Sequence, residues 1–292
     1  MSKPGRAAEI RRILVALDAS PNSLLLLQAA AELASKMEAE LFGLFVEDIE
    51  LLRLADSPYA CEILYPSATQ TPLSRATMEL KLRTLSEIAR KALAAAAIRA
   101  QVQWSFRTVR GEILPEVLAA AGEADLLAIS EGAGPLGRPR HIASAALELA
   151  AGAAPVLLIP AQGIAPGARM AVYFDGSPGS RLGLLVSARI AAATQDRITV
   201  LLGAVDAASA SSQKEEAALL LEGEKIKIRY RIINPEDTTA LVRTLRAERP
   251  GIFILGGLEP RKKRQWAELL LRDTSMALLL LDHGETSLPE SE

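Results

Sequence analysis

Ile13 to Ser23 reads ILVALDASPNS, and Met170 to Ser180 reads MAVYFDGSPGS. Asp18, Ser20, Pro21 and Ser23 match Asp175, Ser177, Pro178 and Ser180 at one constant offset. The match runs on into Leu33-Ala34 opposite Ile190-Ala191. Each copy opens with an apolar run rich in branched residues and too short for a helix, which reads as a buried strand. Ser20 can cap the helix that follows, and Pro21 sits at the first helical position, where no backbone N–H is missed. A chain that begins twice in this way is expected to be a duplicated domain. The expected boundaries are residues 1–163 and 164–292, with QGIAPG at Gln162–Gly167 as the joint.

Taken in order, the first copy predicts a strand at Arg12–Leu17, a helix at Pro21–Lys36 and a strand at Glu40–Val46 that ends in Glu47-Asp48. Glu50 to Pro72 follows neither period and reads as a partly packed excursion. A long helical pattern spans Leu73–Ile98. Gln101–Val109 alternates like an edge strand, with Trp104 and Phe106 on one face and Ser105 and Arg107 on the other. A helix at Glu112–Ala121, a strand at Ala124–Ser130, a glycine-rich loop, a helix at Ile142–Ala151 and a strand at Pro155–Ile159 complete the copy. The second copy keeps this order but is shorter, and most of the loss is the excursion and the front of the long helix. Strands alternating with helices predict a parallel sheet covered on both faces. In such sheets ligands bind beyond the carboxyl ends of the strands, where strand order reverses. Asp18, Val46-Glu47-Asp48 and the loop Ser130–His141 fall at that edge.

Composition narrows the function. A formal charge of −2 offers no global field for nucleic acid. One cysteine, Cys61, and two histidines, His141 and His283, leave no disulfide and no histidine or cysteine metal site. The start MSKPGRAAEIRR has no apolar signal core, and no apolar run reaches membrane-spanning length, so a cytoplasmic protein with no membrane partner is expected. No Ser-His-Asp spacing and no GxxxxGK[ST] phosphate loop is present, so catalysis has no visible carrier.

These residues together resemble the universal stress protein family. The resemblance rests on ILVALDAS with its Ser-Pro helix start, LFVED, ADLLAIS before a glycine-rich loop, and APVLLIP. In the second half VYFDGSPGS, IFILGG and ALLLLD carry it more thinly. It implies an α/β fold of two flavodoxin-like, doubly wound parallel-sheet domains, packed as an internal pseudo-dimer through their closing strands, Pro155–Ile159 and Ala277–Leu281. A homodimer of such tandem chains is a further expectation. The resemblance also implies ATP or AMP as ligand in the first domain, with Asp18 and Val46 at the nucleoside and Ser130, Gly132, Gly134, Gly137 and Ser144 toward the phosphates. The loop departs from the family's Gly-x-x-Gly, nine residues, Gly-Ser/Thr pattern: Leu147 stands where the second glycine belongs, and Ala143-Ser144 is the nearest small hydroxyl pair. The second half keeps Asp175 and Gly256-Gly257 and has no phosphate motif.

Other readings stay open beside this one. Asp18 and Asp175 can serve only as caps for backbone N–H groups, and the glycines can serve only as turns. Arg138, Arg140 and His141 can hold an anion at a helix start or form a solvated basic rim, as can Arg261 to Arg264. Three function classes follow: a nucleotide-binding regulatory protein, a stress-linked interaction scaffold with decayed sites, and a slow ATPase.

Overall fold

The apolar runs lie side by side in one ten-stranded sheet in the computed structural model, which describes residues 10–64, 69–130, 155–160, 163–164, 169–194, 197–224, 226–273 and 276–281. The first half supplies β1 (Arg12–Leu17), β2 (Glu40–Asp48), β5 (Trp104–Gly111), β6 (Leu126–Ser130) and β7 (Val156–Ile159). The second supplies β8 (Met170–Phe174), β9 (Arg197–Gly203), β10 (Lys227–Ile233), β11 (Ile252–Leu255) and β12 (Ala277–Leu280). Their order across the sheet is β10-β9-β8-β11-β12-β7-β6-β1-β2-β5. Within each half all neighbours are parallel, and the chain winds outward from its first strand before crossing back. Strand order therefore reverses between β1 and β6, and again between β8 and β11.

Helices cover both faces. On one face lie α1 (Pro21–Met37), α3 (Arg75–Ala100), α5 (Pro178–Thr194) and α6 (Ala207–Leu220); on the other lie α4 (Ile113–Ala121), α7 (Thr238–Glu248) and α8 (Pro260–Asp273). Leu26, Ala30 and Met37 of α1 pack with Ile13 and Val15 of β1, while Leu14 points to the opposite layer. This is the alternation that a strand requires. Caps set the helix ends, and at α1 the cap is the one the sequence predicts. Ser20 Oγ accepts from Ser23 N at 3.2 Å, with Pro21 at the first position. Ser74 caps α3 and Asp206 caps α6 in a capping box with Ser209.

The excursion resolves into α2 (Ile49–Ala55) and a hairpin of β3 (Cys61–Leu64) and β4 (Thr69–Pro72), which lies outside the main sheet. Its short elements are why neither period dominated. Leu51, Leu52 and Ala55 pack against Met78 and Leu82 of α3. Cys61 is exposed on the hairpin. The arm at residues 1–9, most of the joint and the tail lie outside the described residues, as does the helix expected at Ile142–Ala151.

The halves meet through the one antiparallel pairing in the sheet. Leu157 faces Leu279, Leu158 faces Leu278 and Val156 faces Leu280, and all six side chains are at most 1% exposed. Each strand would otherwise end its half as a bare apolar edge. The outer edges are instead β5 and β10, and both carry arginines held by carboxylates. Arg107 pairs with Glu123 at 2.7 Å. Arg229 and Arg231 converge on Glu248, at 3.1 and 2.7 Å.

Two measurements test these contacts. Leu279→Ala removes buried methyl groups from the joint and should lower the unfolding free energy by about 2–5 kcal/mol in urea titrations. Burial pushes the Glu248 carboxyl up, but the hydrogen bond from Arg231 and the charges of Arg229 and Arg231 outweigh it and hold the group below the usual range. Its stabilisation is then complete above about pH 4.3, the ordinary glutamate value, and is lost as pH falls through the lower folded-state value. Glu248→Gln should therefore be less stable than the parent near neutral pH, with the gap closing in acid.

Candidate functional site at the carboxyl edge of the sheet

The two strand-to-helix openings have the same local geometry. Asp18 Oδ1 accepts from Ser20 N at 3.0 Å, and Asp175 Oδ1 accepts from Ser177 N at 2.9 Å. The residue between them takes positive φ in both, 59° at Ala19 and 81° at Gly176. Ser23 Oγ donates to Ser20 O, and Ser180 Oγ donates to Ser177 O, each at 2.9 Å. In both halves one carboxylate oxygen thus holds the turn that starts the helix, which is the capping role that the sequence left open. Both turns sit where strand order reverses, at β1/β6 and β8/β11.

What surrounds the two turns differs. In the second half the space is closed twice. Gly256 follows β11 and lies against the first turn of α5, so closely that a Cβ on it would stand 2.1 Å from Gly179 O. A Cβ on Gly179 would stand 2.5 Å from Gly257 N, and one on Gly257 would stand 2.0 Å from Ser177 Oγ. Backbone therefore fills the crevice beside Asp175. One strand over, the Tyr173 ring lies across the end of β9, where a Cβ on Gly203 would meet the phenol oxygen at 2.2 Å. Trp266 of α8 packs edge-on against Tyr173, with ring centroids 5.2 Å apart and planes at 80°. Tyr173 is 1% exposed and Trp266 is fully buried. Burial, with the charges of Asp175 and Glu236, pushes the Tyr173 phenol up, so it stays neutral.

Among the described residues the first half carries neither closure. At the same offset, 157 residues from Asp18 to Asp175, Ala16 stands for Tyr173, Val46 for Gly203 and Asn22 for Gly179. The strand registers place Ser130 opposite Gly256. Asn22 and Ser130 both have a Cβ, so the backbone contact of the second half cannot be repeated there. Ala16 and Val46 are half-buried, and with Val109 of β5 and Ile113 and Leu114 of α4 they form an apolar strip along the carboxyl ends of β1, β2 and β5. Val46 and Val109 are register partners. Asp18 stands at one end of the strip, half-buried.

Carboxylates stand along the same edge of the sheet. Glu47 and Asp48, both 8% exposed, end β2. Arg110 of β5 holds Glu47 at 2.8 Å and Glu79 at 3.3 Å. Asp48 Oδ1 accepts from Glu50 N at 3.0 Å and caps α2. Arg53 bridges Glu50 at 2.5 Å and Glu112 at 3.9 Å.

The structure thus brings together Asp18, Val46 and Ser130. Gly132, Gly134, Gly137 and Ser144 lie outside the described residues, and so do Arg138, Arg140 and His141. In the second half the basic run is engaged internally. Lys262 pairs with Glu236, Arg264 pairs with Glu268 at 2.9 Å, and Lys263 is buried with Nζ donating to Leu281 O at 3.1 Å. Lys262 and Lys263 tie α8 to the turn before α7 and to the end of β12, and Arg264 pairs within α8. Among the described residues no cluster of His, Cys, Asp and Glu could hold a metal ion, and no helix is long and apolar enough to cross a membrane.

No protein-family profile matches the sequence, and no curated protein matches it. Solved structures do match the fold. A universal stress protein from Archaeoglobus fulgidus superposes with a TM-score of 0.64 at 13% identity, over 94% of this chain and 98% of that one. A Pseudomonas aeruginosa protein described as functionally unknown superposes with a TM-score of 0.56 at 14% identity, over 94% of each chain. The structural neighbours include universal stress proteins, and the chain shares their α/β fold.

Gly256→Ala tests the closure of the second half. Its new Cβ meets backbone, which cannot rotate away, so the variant should lose on the order of 1–3 kcal/mol or more in chemical denaturation. Ser130→Ala, at the matching place, should cost little.

Proposed function

We propose that this is a universal-stress-protein-like regulatory protein that holds an adenine nucleoside or nucleotide in its first domain only. The domains are residues 1–163 and 164–292, and they pack as an internal pseudo-dimer across β7 and β12. One observation carries the reading: among the described residues the strip beside Asp18 is only half-buried, whereas its twin beside Asp175 is filled by Tyr173 and by the Gly256-Gly257 backbone. A flat apolar base suits a half-buried strip of Ala16, Val46 and Val109, where its burial removes apolar surface from water. The turn at Asp18 uses one carboxylate oxygen, and the other suits a ribose hydroxyl. The phosphate loop departs from the family pattern, so binding is weak. Each lost charged hydrogen bond costs about 1.5–3 kcal/mol.

The second domain supports the scaffold reading for itself. Tyr173, neutral and braced by Trp266, acts there as a fixed internal occupant, and that domain contributes stability and surface rather than a site.

Titration calorimetry with AMP and ATP should show one site per chain. Ala16→Tyr combined with Val46→Gly copies the closed half into the open one. It should weaken binding at least ~tenfold, or about 1.4 kcal/mol, while the melting temperature stays near that of the parent. Undiminished binding to this variant would overturn the placement of the site.

A further inference from the structure

The charge around the strip bears on which ligand it takes. The strip itself is apolar, and its rim is negative. Asp18, Glu47, Asp48, Glu50, Glu79 and Glu112 stand along the carboxyl ends of β1, β2 and β5 and on the first turns of the flanking helices. Three guanidinium groups answer these six carboxylates, and each is already shared: Arg110 by Glu47 and Glu79, Arg75 by Glu79 and Asp56, Arg53 by Glu50 and Glu112. The formal charge of these six carboxylates and three guanidinium groups is −3. Residues 131–141, with Glu131, Arg138, Arg140 and His141, lie outside the described residues.

We propose that the strip selects the uncharged nucleoside over its phosphorylated forms. This rests on the placement of the nucleoside beside Asp18 and Val46 given above. A base and ribose bring no charge to the rim, and they find apolar surface and a carboxylate acceptor. Each added phosphate brings negative charge within a Debye length of the carboxylates, roughly 8–10 Å at physiological salt, where repulsion is only partly screened. The guanidinium groups of Arg53 and Arg110 could reach a phosphate only by giving up carboxylate partners. Affinity is therefore expected to fall in the order adenosine, AMP, ATP, the reverse of the order for a site that cradles phosphates.

Calorimetry on the full chain with adenosine, AMP and magnesium-free ATP tests this. Adenosine should bind at least ~tenfold more tightly than ATP in low salt, and the gap should narrow as salt is raised, because screening weakens the repulsion. Glu50→Gln with Glu112→Gln removes two rim charges and releases Arg53, and it should raise ATP affinity several-fold. ATP binding tenfold tighter than adenosine would overturn the selectivity and leave the placement of the site standing. No binding by any of the three would overturn the placement and the selectivity together. Equal affinities that do not respond to salt would overturn the selectivity alone.

Discussion

Everything in this molecule depends on the backbone pairing of β7 with β12. Each half winds its helices around parallel strands and finishes on a short run of pure hydrocarbon, Val156–Ile159 or Ala277–Leu280. A parallel half cannot cover that last edge from within, because its own crossovers have been used. Antiparallel contact with the other half solves the problem for both, and it extends each helical layer across the joint. The core on one face runs from Leu41 and Val15 through Leu157 and Leu279 to Val172 and Val200, so it belongs to neither half alone. A hydrophobic layer of this extent makes the two halves mutually dependent, in the sense that exposing one joint strand exposes the other.

On this shared frame, small substitutions give the two ends of the sheet different properties. The turns at Asp18 and Asp175 are alike in their hydrogen bonds, yet among the described residues one stands beside a half-buried apolar strip and the other beside packed backbone. The difference comes from the presence or absence of single Cβ atoms and one aromatic ring. Gly179 and Gly256 allow two main-chain segments to touch, and Asn22 and Ser130 forbid it. Tyr173 reaches across Gly203, whereas Ala16 reaches nowhere. Two halves on one scaffold can therefore differ in how far this edge is filled, since packed cores penalise gaps of even a methyl group.

Most of the architecture was legible because the repeat, the caps and the apolar periods agree. β1 and the start of α1 fall where the residues predict, and the alternation over Gln101–Val109 correctly marks an edge strand. The excursion was not legible, since α2, β3 and β4 are each too short to express a period. Asp18 and Val46 could be placed at the carboxyl edge from spacing alone. The closure of the second half could not, although its residues stand within the repeated stretch: Ala16 against Tyr173 and Asn22 against Gly179. Matching positions reveal shared scaffold, and mismatches acquire meaning only when the neighbour across the sheet is known. Gly203 and Gly256 are distant in sequence from the residues they accommodate. The rim charges were hidden for the same reason, because Arg110 meets Glu47 and Glu79 only after β5 docks beside β2 and α3.

The arginine-carboxylate clamps on β5 and β10 have a consequence for growth of the sheet. A parallel sheet with bare outer strands is a template, since any extended segment can add to it and expose a new template in turn. Here the joint strands are consumed by each other, and both outer strands present guanidinium groups tied down at Glu123, Glu47 and Glu248. An incoming strand would have to displace long, hydrated, ion-paired side chains before making its first ladder bond. The ten strands thus form a terminated array.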